Sequence, residues 1–79
     1  MCYILITFDS THDAMATELL LKGHVPYSIM PTLRSITSAC GISIRVELEY
    51  SERIDELLAS APTHTLYLID DSISLVQKL

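Results

Sequence analysis

The sequence is poor in basic residues, in cysteine and in the residues that interrupt secondary structure. Five Lys and Arg stand against ten Asp and Glu, which gives a formal net charge of −5. Nucleic acid binding depends on neutralising phosphates, so this balance disfavours a nucleic acid partner. Two glycines and three prolines in a chain that is 49% hydrophobic are typical of a folded globular protein rather than a disordered one.

Long hydrophobic runs are also missing. The apolar run from Cys2 to Phe8 is too short to span a bilayer and lacks the positive flank of a signal peptide, so we expect no membrane association. Two cysteines without a CxxC spacing fit a reducing compartment, and we expect a cytoplasmic location. The chain is short enough for one domain, which we assign to residues 1–70. Residues 71–79 are then a tail that forms either a short helix or a frayed end.

The hydrophobic pattern predicts four strands and two helices. The apolar run over residues 2–8 is typical of a central strand covered on both faces. Ile42, Ile44 and Val46 alternate with polar residues and predict a half-buried strand. The remaining elements are helices over residues 11–22 and 51–61, strands over 25–30 and 65–69, and one helical turn over 32–38.

This order, β-α-β-β-α-β, predicts an α+β fold. We expect a two-layer ferredoxin-like sandwich, with a four-stranded antiparallel sheet and both helices on one face. A flavodoxin-like fragment with a parallel sheet is the alternative, but the link from Pro31 to Gly41 is too short for a crossover helix.

Strand alternation places several apolar residues on the sheet face opposite the helices. These residues are Tyr3, Leu5, Tyr67 and Ile69. An exposed apolar patch is unusual on a small monomer and is typical of an interface. We therefore expect a homodimer that forms through this face.

Cys40 is the candidate functional residue, because it lies at the start of the third strand and is followed by Gly41. A thiol acts as a nucleophile or a sulfur carrier as its thiolate, which a cation or backbone N–H groups stabilise. Gly41 would let the backbone adopt a positive φ or approach a bound group closely. The other candidate binding residues that the topology brings to the same end of the sheet are Arg34, Thr11, His12 and His64.

Other interpretations of Cys40 stay open at this point. The residue can be a small buried hydrophobe beside a turn glycine. A metal site with His12 and His64 has no ligand spacing to support it, and we expect no metal. A thioredoxin-type redox enzyme would need a resolving cysteine nearby. Cys2 should lie about 20 Å from Cys40 at ~3.3 Å per residue, so we expect no disulfide and an inert Cys2 thiol.

Three segments of the sequence form a pattern, which are Phe8-x-Ser10-Thr11-His12-Asp13-Ala14 followed by Glu18, Pro31-x-x-Arg34, and Ser38-x-Cys40-Gly41-Ile42 with Arg45. This pattern resembles that of a known family, the small bacterial proteins described as selenium- or sulfur-carrier-like. The resemblance covers nearly the whole chain, from Tyr3 to about Ile69. Leu33 departs from the family pattern, in which a proline precedes the arginine.

The resemblance implies that Cys40 holds a persulfide or selenide for delivery to a partner. From the placement of the residues, we expect Arg34 and the start of the first helix, at Thr11 and His12, to stabilise its anionic form. The chain would then be a carrier or binding protein rather than an enzyme, with no cofactor. Its partners would be sulfur or selenium donor and acceptor proteins. The alternative is a ligand-sensing or assembly module that associates through the apolar sheet face. For the carrier we expect the Cys40 sulfur to be partly exposed.

Overall fold

The computed structural model describes residues 1–36 and 40–79. In chain order the elements are β1 (Cys2–Phe8), α1 (Thr11–Leu21), β2 (Ser28–Pro31), β3 (Ile42–Glu47), α2 (Ser51–Leu57), β4 (His64–Asp70) and β5 (Leu75–Lys78). Short 3-10 helices at Leu48–Tyr50 and Leu58–Ser60 flank α2. The strands form one sheet in the order β2-β3-β1-β4-β5, and every neighbouring pair is antiparallel.

The fifth strand corrects the predicted fold. A ferredoxin-like sandwich has a four-stranded sheet, whereas the described residues form a five-stranded one, so the ferredoxin-like prediction is wrong. The tail over residues 71–79, for which the sequence predicted either a short helix or a frayed end, contains β5. This strand pairs with β4 and places Val76 opposite Ile69. A strand of four residues is too short to show a clear hydrophobic period, and only its pairing with β4 reveals it.

Both helices pack on the same face of the sheet. Alternation along β1 turns Ile4, Ile6 and Phe8 toward this side, where they join the main core. The helical residues in that core are Ala14, Leu21, Ile54 and Leu58. No helix in residues 1–36 or 40–79 is long and apolar enough to cross a membrane.

The second face of the sheet, opposite the helices, is covered by the chain itself. Tyr3, Leu5 and Ile69 lie on this face, yet they are only 4%, 0% and 3% exposed. They pack with the buried Ile36 and with partly buried neighbours, which are Met30, Leu33, Tyr67 and Val76. The premise of the predicted homodimer, an exposed apolar patch at these residues, is therefore wrong.

The cover comes from the segment that follows β2. Thr32 extends the pairing of β2 with β3, because its N–H donates to the carbonyl of Gly41 at 3.0 Å. The chain then turns, and the N–H of Ile36 donates to the carbonyl of Leu33 at 3.0 Å. The side chains of Leu33 and Ile36 pack on the second face. Of the helical turn predicted over residues 32–38, residues 37 and 38 lie outside the described residues.

Replacing Ile36 with Ala should destabilise the protein by about 2–5 kcal/mol, since it removes a buried side chain from the second face. Ile73→Ala is the matched control, because Ile73 is 70% exposed in the turn before β5. It should change the free energy of unfolding by less than about 0.5 kcal/mol. Urea denaturation followed by circular dichroism measures both, and equal losses would mean that Ile36 does not cover the sheet.

Candidate functional site

The candidate residues lie at the end of the sheet where β1 ends and β3 begins. Phe8 pairs with His64 there, and Pro31 pairs with Ile42. The helix α1 starts at the same end, where the hydroxyl of Ser10 accepts the N–H of Asp13 at 3.1 Å and caps the helix. We call this region the Cys40 end of the sheet.

Cys40 lies beside the first turn of α1. Its sulfur is 3.8 Å from Oγ1 of Thr11, the first residue of the helix. A thiolate at this position would lie near backbone N–H groups and the positive end of the helix dipole, which favour anions. The side chain is 3% exposed and belongs to the main core, so the prediction that it is partly exposed is wrong.

The backbone of Cys40 is held by Thr32, a residue that the sequence analysis did not single out. The hydroxyl of Thr32 donates to the carbonyl of Cys40 at 3.1 Å and lies 2.6 Å from the hydroxyl of Ser43. Ser43 is fully buried. No motif marks Thr32, but the correct register, with Pro31 opposite Ile42, would have placed it across from Gly41.

The two candidate histidines lie near this end without a described contact to the sulfur. His12 is exposed on the first turn of α1. His64 is half-buried, and its Nδ1 atom is 2.8 Å from the carbonyl of Pro62. A carbonyl can only accept, so Nδ1 carries the proton and Nε2 is the accepting nitrogen of the neutral ring. Among the described residues, no three His, Cys, Asp or Glu side chains form a group that could hold a metal ion.

Arg34 is exposed and lies in a turn whose apolar residues pack on the second face of the sheet. Its neighbours Leu33 and Ile36 pack there, whereas Cys40 belongs to the core on the helix face. Arg45, another residue of the motif, is also on the second face, with its guanidinium 4.1 Å from the centre of the Tyr3 ring. Thr11 is the candidate whose hydroxyl lies 3.8 Å from the sulfur.

The described residues give no structural reason for a glycine at position 41. Of the two glycines, the one with a positive φ is Gly23, at 81°, so of the two uses expected of Gly41 a positive φ is not one that it makes. A Cβ atom built on Gly41 would meet no described atom within 4 Å. The residue is exposed and leaves open space next to Cys40.

Comparison with known proteins identifies the family. Residues 3–69 match a family described as "Putative Se/S carrier protein-like". The chain belongs to this family. The matched span includes every candidate residue of the Cys40 end and stops before β5. No curated protein and no solved structure matches the chain.

The other cysteine of this Se/S carrier-like chain has a different environment. Cys2 and Cys40 form no disulfide. The thiol of Cys2 donates to Oδ2 of Asp70 at 3.3 Å. This hydrogen bond raises the pKa of the Cys2 thiol above its usual value, and partial desolvation raises it further. Cys2 is therefore disfavoured as a thiolate.

Asp70 is the acceptor on which this arrangement depends. The hydroxyl of Ser72 donates to it at 2.6 Å, the thiol of Cys2 donates to its second oxygen, and the N–H of Ser72 donates at 3.1 Å. These donors stabilise the carboxylate and lower the pKa of Asp70 to about 2.

Replacing Asp70 with Asn should speed alkylation of Cys2 near pH 8, because the neutral amide no longer holds the thiol protonated. The measurement is the rate of iodoacetamide modification in a Cys40→Ala background, read by intact mass. Asp71→Asn is the control, since Asp71 raises the pKa of Cys2 only through its charge and is the smallest cause. A rate unchanged by Asp70→Asn would contradict the role of this hydrogen bond.

Acid should weaken the fold through the same carboxylate. The folded pKa of Asp70 is lowered from 3.8 to about 2, so its stabilising contribution is complete above about pH 5 and is lost as the pH falls through 3.8 toward 2. Urea midpoints of the wild type should fall across this window, and those of Asp70→Asn should fall less steeply. Ser72→Ala should also flatten the profile, because it removes the largest cause of the lowered pKa. Parallel profiles for all three proteins would refute the assignment.

Proposed function

We propose that this Se/S carrier-like chain carries sulfur or selenium on Cys40. The observation that supports it most directly is the place of the Cys40 sulfur, 3.8 Å from Thr11 at the start of an eleven-residue helix. The N–H groups of that first turn favour an anion such as a persulfide or a selenide. The family to which the chain belongs points to the same class of cargo.

The proposed reaction is a transfer between thiols. The Cys40 thiol first loses its proton, and its thiolate attacks the outer sulfur of a donor persulfide. The new bond joins that sulfur to Cys40, the donor S–S bond breaks, and the donor leaves as a thiolate. Delivery repeats the step on the thiolate of an acceptor. The outer atom keeps its oxidation level, so no separate oxidant or reductant is needed. Selenium follows the same path.

The proposal gives roles to the other residues near the Cys40 end. Thr11 contacts the sulfur, and Arg34 and His12 would stabilise the anion when a partner protein approaches. The Nε2 atom of His64 would accept the thiol proton. Gly41 would leave room for the added atom. We propose that the donor and acceptor are cytoplasmic proteins.

The burial of Cys40 sets a condition on this function. Because Cys40 is 3% exposed, its sulfur is out of reach of another protein's sulfur in this conformation. Transfer therefore requires a conformation in which the sulfur is more exposed, and local opening of this kind is common in native proteins. The alkylation rate of Cys40 under native conditions measures how often that conformation is reached.

The alternative function, an assembly module, lacks an observation in its favour. It required an exposed second face, but Tyr3, Leu5 and Ile69 are at most 4% exposed. The exposed large apolar side chains near the Cys40 end are not on that face; they are Met15 on α1, Ile29 on β2 and Ile42 at the start of β3. We therefore propose the carrier alone.

Incubation with inorganic polysulfide should add sulfur to the protein at Cys40 and not at Cys2. Intact mass spectrometry without reductant, followed by peptide mapping, measures the product. Cys2→Ser should load as the wild type does, and Cys40→Ala should not load. Thr11→Val should load less, because it removes the hydroxyl beside the sulfur. The carrier proposal fails if Cys2 is the loaded residue or if neither cysteine takes up sulfur.

A further inference from the structure

We propose that Thr32 is the positioning residue for the Cys40 sulfur. The inference rests on the proposed function for its purpose, since a carrier needs its sulfur at a defined place. The contacts that support the inference do not depend on that function. They join three residues, which are Thr32, Cys40 and Ser43.

Thr32 continues the ladder between β2 and β3 by one residue and contacts two consecutive residues before β3. The ladder between β2 and β3 ends at Pro31 and Ile42, and the next N–H, that of Thr32, donates to the carbonyl of Gly41 at 3.0 Å. The hydroxyl of Thr32 donates to the carbonyl of the preceding residue, Cys40, at 3.1 Å. Thr32 thus donates to the carbonyls of two consecutive residues, Cys40 and Gly41.

The direction of the hydrogen bonds follows from counting protons. A carbonyl has none to give, so the single hydroxyl proton of Thr32 goes to the carbonyl of Cys40. The contact of 2.6 Å between Thr32 and Ser43 must therefore use the proton of Ser43. The result is a directed chain from Ser43 through Thr32 to Cys40, in which each bond polarises and strengthens the next.

This chain holds Cys40 from the side opposite its sulfur. Ser43 pairs with Thr7 and alternates with the core residue Ile44, so it belongs to the second face. The sulfur of Cys40 is on the helix face beside Thr11. The carbonyl is fixed from one face and the side chain lies on the other. The orientation of the Cys40–Gly41 peptide therefore decides where the sulfur lies relative to α1.

A positioning role and a purely structural role predict different results for paired substitutions. Thr32→Val removes the hydroxyl and leaves the donor of the fully buried Ser43 unsatisfied, which costs stability. The double variant Thr32→Val/Ser43→Ala removes both polar groups and should recover much of that stability. The bond to the Cys40 carbonyl is missing in both variants. Ser43→Ala alone keeps that bond.

The test measures the reactivity and position of the Cys40 sulfur separately from the stability of the protein. All variants are made in a Cys2→Ser background. The rate of iodoacetamide modification reports access to the sulfur, a nuclear Overhauser contact between Cys40 and Thr11 reports its place, and urea denaturation reports stability. We expect Thr32→Val and the double variant to react roughly three- to tenfold faster, which corresponds to one hydrogen bond, and to lose the contact with Thr11. Thr32→Ser and Ser43→Ala should stay within about twofold of the unsubstituted background and keep the contact.

The outcomes separate this inference from the carrier proposal. If the double variant regains the rate and the contact of the background protein along with its stability, Thr32 is structural and the inference is overturned. The same holds if Ser43→Ala behaves as Thr32→Val does. Should Thr32→Val alone fail to fold, the double variant carries the comparison. Sulfur loading plays no part in these measurements, so a wild type that takes up no sulfur would refute the carrier and leave the result for Thr32 intact.

Discussion

Pairing along both edges of β1 is the constraint on which the rest of this structure depends. β1 is hydrogen-bonded to β3 on one side and to β4 on the other, and residues 3–8 are all buried. A strand in this place must have side chains that fit two different cores. It also decides which chain segments meet at each of its ends. Cys2 and Asp70 meet at one end, and Cys40 and Thr11 meet at the other.

The two faces of the sheet are covered by different means. The helix face uses α1 and α2, whose buried residues join the β1 side chains in one core. The second face uses the short segment after β2, through Leu33 and Ile36. The same segment contacts Cys40 through Thr32, so it takes part both in covering the second face and in holding the backbone of Cys40. Thr32 is the first residue of this segment. Its hydroxyl donates to the carbonyl of Cys40, and its N–H donates to the carbonyl of Gly41.

The two thiols show how surroundings separate residues of the same type. Cys2 donates to a carboxylate, which stabilises the protonated thiol and raises its pKa. Cys40 lies against the start of a helix, where backbone N–H groups favour an anion. With the two residues at opposite ends of the sheet, Cys2 is not a resolving partner for Cys40. This separation suits a carrier, in which the second thiol of the transfer belongs to another protein.

The sequence by itself determined the elements with strong local patterns. The apolar run predicted β1, the alternation around Ile44 predicted β3, and Ser10 predicted the start of α1 within a residue. The meeting of Cys40 with the start of α1 also followed from the order of elements, because antiparallel strands bring those segments to the same end. The family resemblance was visible in the motif around Cys40 and is confirmed over residues 3–69.

Only the tertiary structure decided the fifth strand, the burial of the second face and the role of Thr32. β5 has four residues, and its pairing with β4 is what makes it a strand. Whether Tyr3 and Ile69 were exposed depended on Ile36, which lies far from both in sequence. The chain from Ser43 through Thr32 to the Cys40 carbonyl needs a strand register that no single segment encodes. Local periodicity reflects only neighbouring residues, whereas burial and hydrogen-bond partners are set by contacts between distant ones.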